Sequence, residues 1–259
     1  MVNIIIYMTT KKDICFATFA RNEHIRLPIW LNHYRQFITD DDIYVIDQNT
    51  TDGSTSNLTC NVINEPNEVV FDHAWLRQML TRNLKELLKK YYIVVLTECD
   101  ELMVTHNNEN LKDYLIKTYK QQPLKSGSTP LFDVLQVDNE KDYVLGDKIS
   151  KIRNYLYKWP GAMKHTIHTS CLKELPNGFH SGYGNFDNNL STIHIQCLNS
   201  SFFTEKINQR IKEKEVHGQC DDHGCWDSHY KVELIDKYMN DLFGKKQLAP
   251  NWFKNNIYL

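Results

Sequence analysis

Short apolar runs alternate with longer stretches in which apolar residues recur every three or four positions, and this alternation governs the first hundred residues of the chain. Asp13 to Thr18 reads as a buried strand. After the polar break Arg21-Asn22-Glu23, the residues Leu27, Trp30, Leu31 and Tyr34 fall at helical spacing and predict an amphipathic helix from about Ile25 to Phe37. Ile43 to Ile46 is a second strand, closed by Asp47-Gln48-Asn49-Thr50-Thr51-Asp52-Gly53-Ser54, a loop of turn formers and side-chain oxygens. A second helix, from roughly Ala74 to Lys89, carries Trp75, Leu76, Met79, Leu80, Leu84, Leu87 and Leu88 on its apolar side. It leads into a strand from Tyr92 to Thr97. Three strands alternating with two helices predict an α/β fold, a Rossmann-like central sheet that is mostly parallel and flanked by helices. Such sheets bind ligands beyond the carboxyl ends of their strands.

From about residue 126 the elements read as shorter and less regular, although Leu111 to Tyr119 and Phe202 to Glu215 have helical patterns. Nothing Pro- or Ser-rich divides the 259 residues, so the expectation is one domain, with a nucleotide-binding half over 1–105 and an acceptor-binding half over 126–259.

A formal net charge of -2 argues against a nucleic-acid partner, and the basic stretch Lys85 to Lys90 reads as a solvated helix face. No stretch approaches the ~20 apolar residues of a membrane span, and Val2 to Tyr7 is too short for a signal peptide. Seven cysteines without framework spacing fit reduced thiols. A cytoplasmic protein is expected.

Chemistry concentrates in Glu98-Cys99-Asp100-Glu101, which follows the apolar run Ile93-Val94-Val95-Leu96. Such an acidic run also makes an ordinary turn. Carboxylates two apart at a strand mouth can, however, converge on one divalent cation, and hard cations that bridge phosphate oxygens prefer oxygen ligands. The loops at 21–23, 47–52 and 98–101 all open on one rim, and this convergence points to phosphate-leaving-group chemistry.

Phe19-Ala20-Arg21-Asn22-Glu23, Trp30-Leu31-Asn32-His33-Tyr34, the loop Asp47 to Ser54, and Leu96-Thr97-Glu98-Cys99-Asp100-Glu101-Leu102 together resemble the family-two-like glycosyltransferases with the A-type fold. The likeness covers about 105 residues in the right order and spacing. It implies transfer of a sugar from a nucleotide diphosphate donor, most commonly a UDP-sugar, to a hydroxyl of a glycan or other acceptor. It also implies inversion at the anomeric carbon and Mn²⁺ or Mg²⁺ on the diphosphate. On the same likeness Asp100 and Glu98 ligate the metal, with a late histidine, His194 before His180, as a third ligand. Asp47 would meet the base or ribose, Ala17 to Ala20, Phe19 included, would lend backbone contacts, and Arg82 would face the donor. The rim residues Arg21, Glu23 and Asn49 would complete the donor site. The family's first motif acid is usually Asp, and Glu98 stands there instead. A relative that binds nucleotide-sugar without catalysis is the alternative. A sugar-phosphate nucleotidyltransferase shares the architecture, but its Gly-rich phosphate loop is missing here.

Lys164 is a candidate for neutralising a phosphate, and Trp159 for stacking on a sugar. The general base that inversion needs has candidates in Asp187, Asp222 with its neighbour Asp221, and Glu101, the last either binding the acceptor hydroxyl or bracing its loop. His217, Cys220, His223, Cys225 and His229 have residue types suited to zinc, at a spacing that matches no familiar finger.

Overall fold

In the computed structural model the described residues are 10–66, 73–121, 126–137, 139–171, 173–176, 179–180, 185–217, 240–241 and 244–259. β1 (Lys12–Ala20), β2 (Ile43–Asp47), β3 (Asn61–Asn64) and β4 (Tyr91–Glu98) form a parallel array in the order β3-β2-β1-β4. The sheet continues through β7 (Tyr155–His168), β6 (Gly127–Leu135), β9 (Leu190–His194) and β5 (Glu101–Thr105). β8 (Asn185–Phe186) adds to β6, and β10 (Gln247–Leu248) adds to β7.

Alternation along the strands divides the core between the two faces of the sheet. Ile14, Phe16 and Ala20 of β1, with Ile93 and Val95 of β4, pack beneath α1 (Arg26–Tyr34) and α3 (Leu111–Tyr119). Cys15 and Ala17, with Val94 and Leu96, pack beneath α2 (His73–Lys90), through Met79, Leu80, Leu84, Leu87 and Leu88. Burial on both sides explains why these strands are continuously apolar rather than alternating. Trp30 is fully buried under the first face, and its Nε1 donates to Thr97 Oγ1 at 2.8 Å. That bond ties α1 to the last turn of backbone before the acidic run.

The expected strands and helices of the first half are present, with two additions. β3 has only Val62 and Ile63 as apolar residues and lies at the sheet's edge, so it lacks the signal of its neighbours. Only two residues separate the end of β4 from the start of β5, yet β5 lies at the far edge of the sheet, next to β9. The second half is more regular than expected. β6 and β7, of 9 and 14 residues, pair antiparallel with two register shifts, and β7 also pairs antiparallel with β4. The sheet is therefore parallel in its first half and mixed beyond, and it runs through both halves of the chain. α4 (Ile149–Ile152), α5 (Ser200–His217) and α6 (Asn251–Lys254) complete the helices. Among the described residues no helix is long and apolar enough to cross a membrane.

Candidate metal centre

Because β1 to β4 run the same way, their carboxyl ends share one rim, and two loops on it are fastened together. Asn22, in the left-handed region at φ 55°, turns its Oδ1 to accept from the backbone of Thr51 at 2.7 Å and of Asp52 at 3.2 Å. Asn tolerates that conformation better than most residues. The loop that follows β2 braces itself, since the Asp47 carboxylate accepts from Thr50 N at 2.9 Å and Thr55 Oγ1 at 2.8 Å. Asn49, also left-handed at φ 59°, is exposed beside it.

At the mouth of β4 the chain turns sharply into β5, and the turn gathers the acidic run against β9. Glu101 lies opposite His194 in the β5–β9 ladder, and Ile195 N donates to Asp100 O at 2.9 Å. One ligand atom each from Glu98, Asp100 and His194 lies within 4.8 Å of the others. Two carboxylate oxygens and one imidazole nitrogen form a donor set that fits Mn²⁺, with Mg²⁺ less suited to the nitrogen. The Glu98 side chain keeps 28% of its surface and Asp100 and His194 about half that, so the cluster is open on one side.

His194 is held from behind. Its Nδ1 lies 2.6 Å from Asp133 Oδ1, and Asp133 is fully buried in β6. Trp159 Nε1 donates to the other carboxylate oxygen of Asp133 at 2.8 Å, and Gln196 Nε2 adds a longer bond at 3.3 Å. A carboxylate behind a histidine fixes the tautomer and turns the second nitrogen outward. Here Nε2 faces Asp100 Oδ2 at 3.3 Å. Burial alone would depress the imidazole's basicity, but Asp100 and Asp133 on either side outweigh it and raise its pKa well above the ordinary value. Burial alone would likewise raise the Asp100 carboxyl, and His194, Arg26 and Lys206 hold it far below the usual range instead. A cation bound here would displace a proton from the pair.

Positive charge surrounds this acidic centre. Arg26 is buried, with Nε 4.0 Å from Asp100, Nη1 3.6 Å from Glu23 and Nη2 donating to Phe202 O at 2.8 Å. Lys206 of α5 pairs with Glu23. Lys164 Nζ is 2.6 Å from Glu101 and 3.7 Å from Glu98, and those carboxylates overcome its burial and raise its pKa. Burial, with Glu98 and Asp100 nearby, raises the Glu101 carboxyl to about 7 despite Lys164.

Several expected roles give way to these contacts. Glu101 is fully buried and paired with Lys164, so it braces the turn, also accepting from Glu98 N at 3.2 Å, and cannot reach an acceptor hydroxyl. Lys164, 2% exposed, spends its charge on that pair rather than on a phosphate. Asp187, a candidate general base, is engaged by tyrosines away from the cluster. Its carboxylate accepts from Tyr114 and Tyr119 hydroxyls at 2.9 and 3.0 Å, at the opposite end of β9 from His194. His180 is exposed and bridges to Lys164 through its backbone, outside the three-residue cluster. Ala17 lies mid-strand, paired with Tyr44 and Leu96, so its backbone is committed to the sheet. Phe19 leans on Phe179, with ring centroids 6.2 Å apart. Glu23 is 8% exposed and engaged by Lys206, while Arg21 stays half-buried at the rim. Arg82 Nη2 reaches Glu65, just past β3, at 2.6 Å. That is three strands from Glu98, about 14 Å across the rim. Asp221, Asp222, Cys220, His223, Cys225 and His229 lie outside the described residues, as does the side chain of His217.

Asp133, Arg26 and Lys206 are the contributors that the sequence reading missed. Asp133 had a signal, as a lone charge inside Leu131-Phe132-Asp133-Val134-Leu135, an otherwise apolar strand. Arg26 and Lys206 sit on helices where lysine and arginine are ordinary. Compared with known protein families and with curated proteins, the chain matches none.

Proposed function

We propose that the protein is a glycosyltransferase of the A-type fold that moves a sugar, with inversion, from a nucleoside diphosphate donor to an acceptor hydroxyl. The UDP-sugars are the first donors to test. The observation that carries this reading is the Glu98–Asp100–His194 cluster at the carboxyl edge of a parallel array, on one rim with the Asn22-fastened loops. Glu98, Asp100 and His194 would hold a divalent cation, which when bound neutralises charge on a departing diphosphate. Asp133 keeps the imidazole oriented, and the Lys164–Glu101 pair holds the turn that carries both acids. Arg26 and Lys206 balance the surplus of carboxylates around the cluster. The Trp159 ring, fixed by Asp133 and partly exposed, offers an apolar surface to a pyranose beside the cluster.

The test is release of UDP from UDP-glucose, UDP-galactose and UDP-N-acetylglucosamine with Mn²⁺, for the wild type, Asp100→Asn and His194→Ala. Mn²⁺-dependent UDP formation, lost in both variants, is expected. Pyrophosphate as the product would assign a nucleotidyltransferase instead. A folded protein that releases no nucleoside diphosphate, and whose melting temperature no nucleotide raises with Mn²⁺, overturns the reading.

A further inference from the structure

Among the described residues six large apolar side chains are exposed, and four of them, Val144, Leu145, Leu248 and Ile257, lie in two segments that are hydrogen-bonded to each other. Their exposure, from 56% to 74%, is more than isolated surface hydrophobics require, and their concentration sets them apart. The segments, 140–158 and 244–259, are laced together. Lys148 Nζ donates to Ile257 O at 2.6 Å, and Lys151 Nζ donates to Lys254 O at 3.0 Å. Ala249 N donates to Asn154 O at 2.8 Å, and Leu248 pairs with Tyr155 across the β7–β10 ladder. Val144 and Leu145 head a turn closed by Asp147 N donating to Val144 O at 2.9 Å, directly before Lys148.

Charge on this surface runs against the rest of the chain. The two segments contain seven lysines and one arginine against three acidic residues, in a protein whose formal net charge is -2. Arg153 is buried, so the seven lysines supply the surface charge against three acids; Lys141 is paired with one of these acids, and Lys148, Lys151 and Lys254 also donate to backbone oxygens of the two segments. Asp147 pairs with Lys141 at 2.9 Å, and Glu140 accepts from Asn154 N at 2.9 Å. Exposed aliphatic side chains interspersed with lysines match an interface whose apolar interior lies beneath a negatively charged surface.

We propose that this face docks the protein on an anionic lipid surface, with Val144, Leu145, Leu248 and Ile257 entering the headgroup layer and the surrounding lysines held by lipid charge. The face adjoins the candidate metal centre. Tyr155, which pairs with Leu248, is two residues along β7 from Tyr157, the partner of Asp133, a separation of about 7 Å. Docking therefore keeps the catalytic rim beside the lipid, where a membrane-borne acceptor would be presented.

The experiment is sedimentation with phosphatidylcholine vesicles, with and without phosphatidylserine, at low and high salt. The wild type is expected to sediment with phosphatidylserine vesicles, weakly with phosphatidylcholine alone, and less as salt rises. Lys158→Glu/Lys246→Glu, and separately Val144→Ser/Leu145→Ser, should weaken binding at least tenfold. Tyr92→Ser, which changes an exposed aromatic outside the two segments, should not. All these side chains are exposed, so unchanged melting temperatures would certify the fold. Equal binding to both vesicle types, or apolar and charge variants that bind as the wild type does, overturns the proposal. So does an apolar variant that changes only the molecule's mass in solution, which would assign the face to a second copy. Vesicle binding is read without any sugar donor, so its failure and failure of the transferase reading are separate results.

Discussion

Replacing Lys164 by Met removes one partner of an ion pair that is closed to water on both sides. The Lys164 side chain is 3% exposed and Glu101 fully buried, at a separation of 2.6 Å. A buried pair adds little net stability over apolar side chains of the same volume, but breaking it leaves a buried carboxyl that must stay charged without a partner or, being already raised to about 7, take up a proton, at a cost of about 3–5 kcal/mol. Met fills most of the lysine stem's volume, so the loss is electrostatic rather than a cavity. For a chain of this size that corresponds to a fall in melting temperature of roughly 10 °C. Glu101→Gln should cost less, about 1–3 kcal/mol, because the amide oxygen still accepts from Lys164 and Glu98 remains 3.7 Å from the ammonium. In the double variant no unpaired charge remains, so its stability should match or exceed that of Lys164→Met, giving a coupling of about 2 kcal/mol or more. Urea unfolding of all four proteins with a chelator present measures the cycle. A double variant that loses the sum of the two single losses would refute the account and reduce the contact to an incidental one.

Asp133→Asn should weaken Mn²⁺ binding about 10–100-fold by electron paramagnetic resonance titration, because the amide no longer holds His194 with a full charge; unchanged affinity would remove Asp133 from the centre. His33 and His168 are buried, which pushes their pKa values down to about 4 and about 3. Both rings stay neutral in the fold and take up protons on unfolding, so their contribution is complete above pH ~6.5 and falls, by about 1.4 kcal/mol per pH unit for each ring, as pH drops toward 4. Urea unfolding from pH 7 to pH 5 should therefore be less steep in pH for His33→Leu than for the wild type, and equal slopes would contradict the assignment. Gly127→Ala would press a methyl group against the Tyr119 hydroxyl and to 2.8 Å from Ile167 Cδ1. A loss of about 1–3 kcal/mol is expected by denaturant titration, and a neutral effect would mean that Tyr119 can leave Asp187 freely.

The first half of this fold was legible because its strands are buried on both faces and its helices are amphipathic. Phe16 and Cys15 serve opposite sides of the same strand, and that requirement writes an apolar run into the sequence. The acidic pair of the candidate metal centre was legible for the same reason, since Glu98 and Asp100 end such a run. What the sequence could not express is which later strand would arrive there. His194, Lys164 and Asp133 come from three strands whose neighbours are set by long-range pairing, and β6 and β7 were read as irregular because Pro130, Pro160 and Gly161 interrupt their patterns. The surroundings of Asp187 were not legible because its tyrosine partners lie about seventy positions away.

The two-residue step from β4 to β5 has a kinetic consequence. Between those strands, consecutive in the chain, the sheet inserts β7, β6 and β9. The carboxylates on the step can form early with the local β-then-α units, but His194 arrives only after contacts spanning some ninety residues have closed, the slow kind of contact. Tight Mn²⁺ binding should thus be among the last properties to appear during refolding, trailing the return of secondary structure. An isolated first half of the chain, despite carrying every motif of the resemblance, would lack the imidazole ligand. Metal acquisition at the proposed centre would mark the completion of the whole sheet.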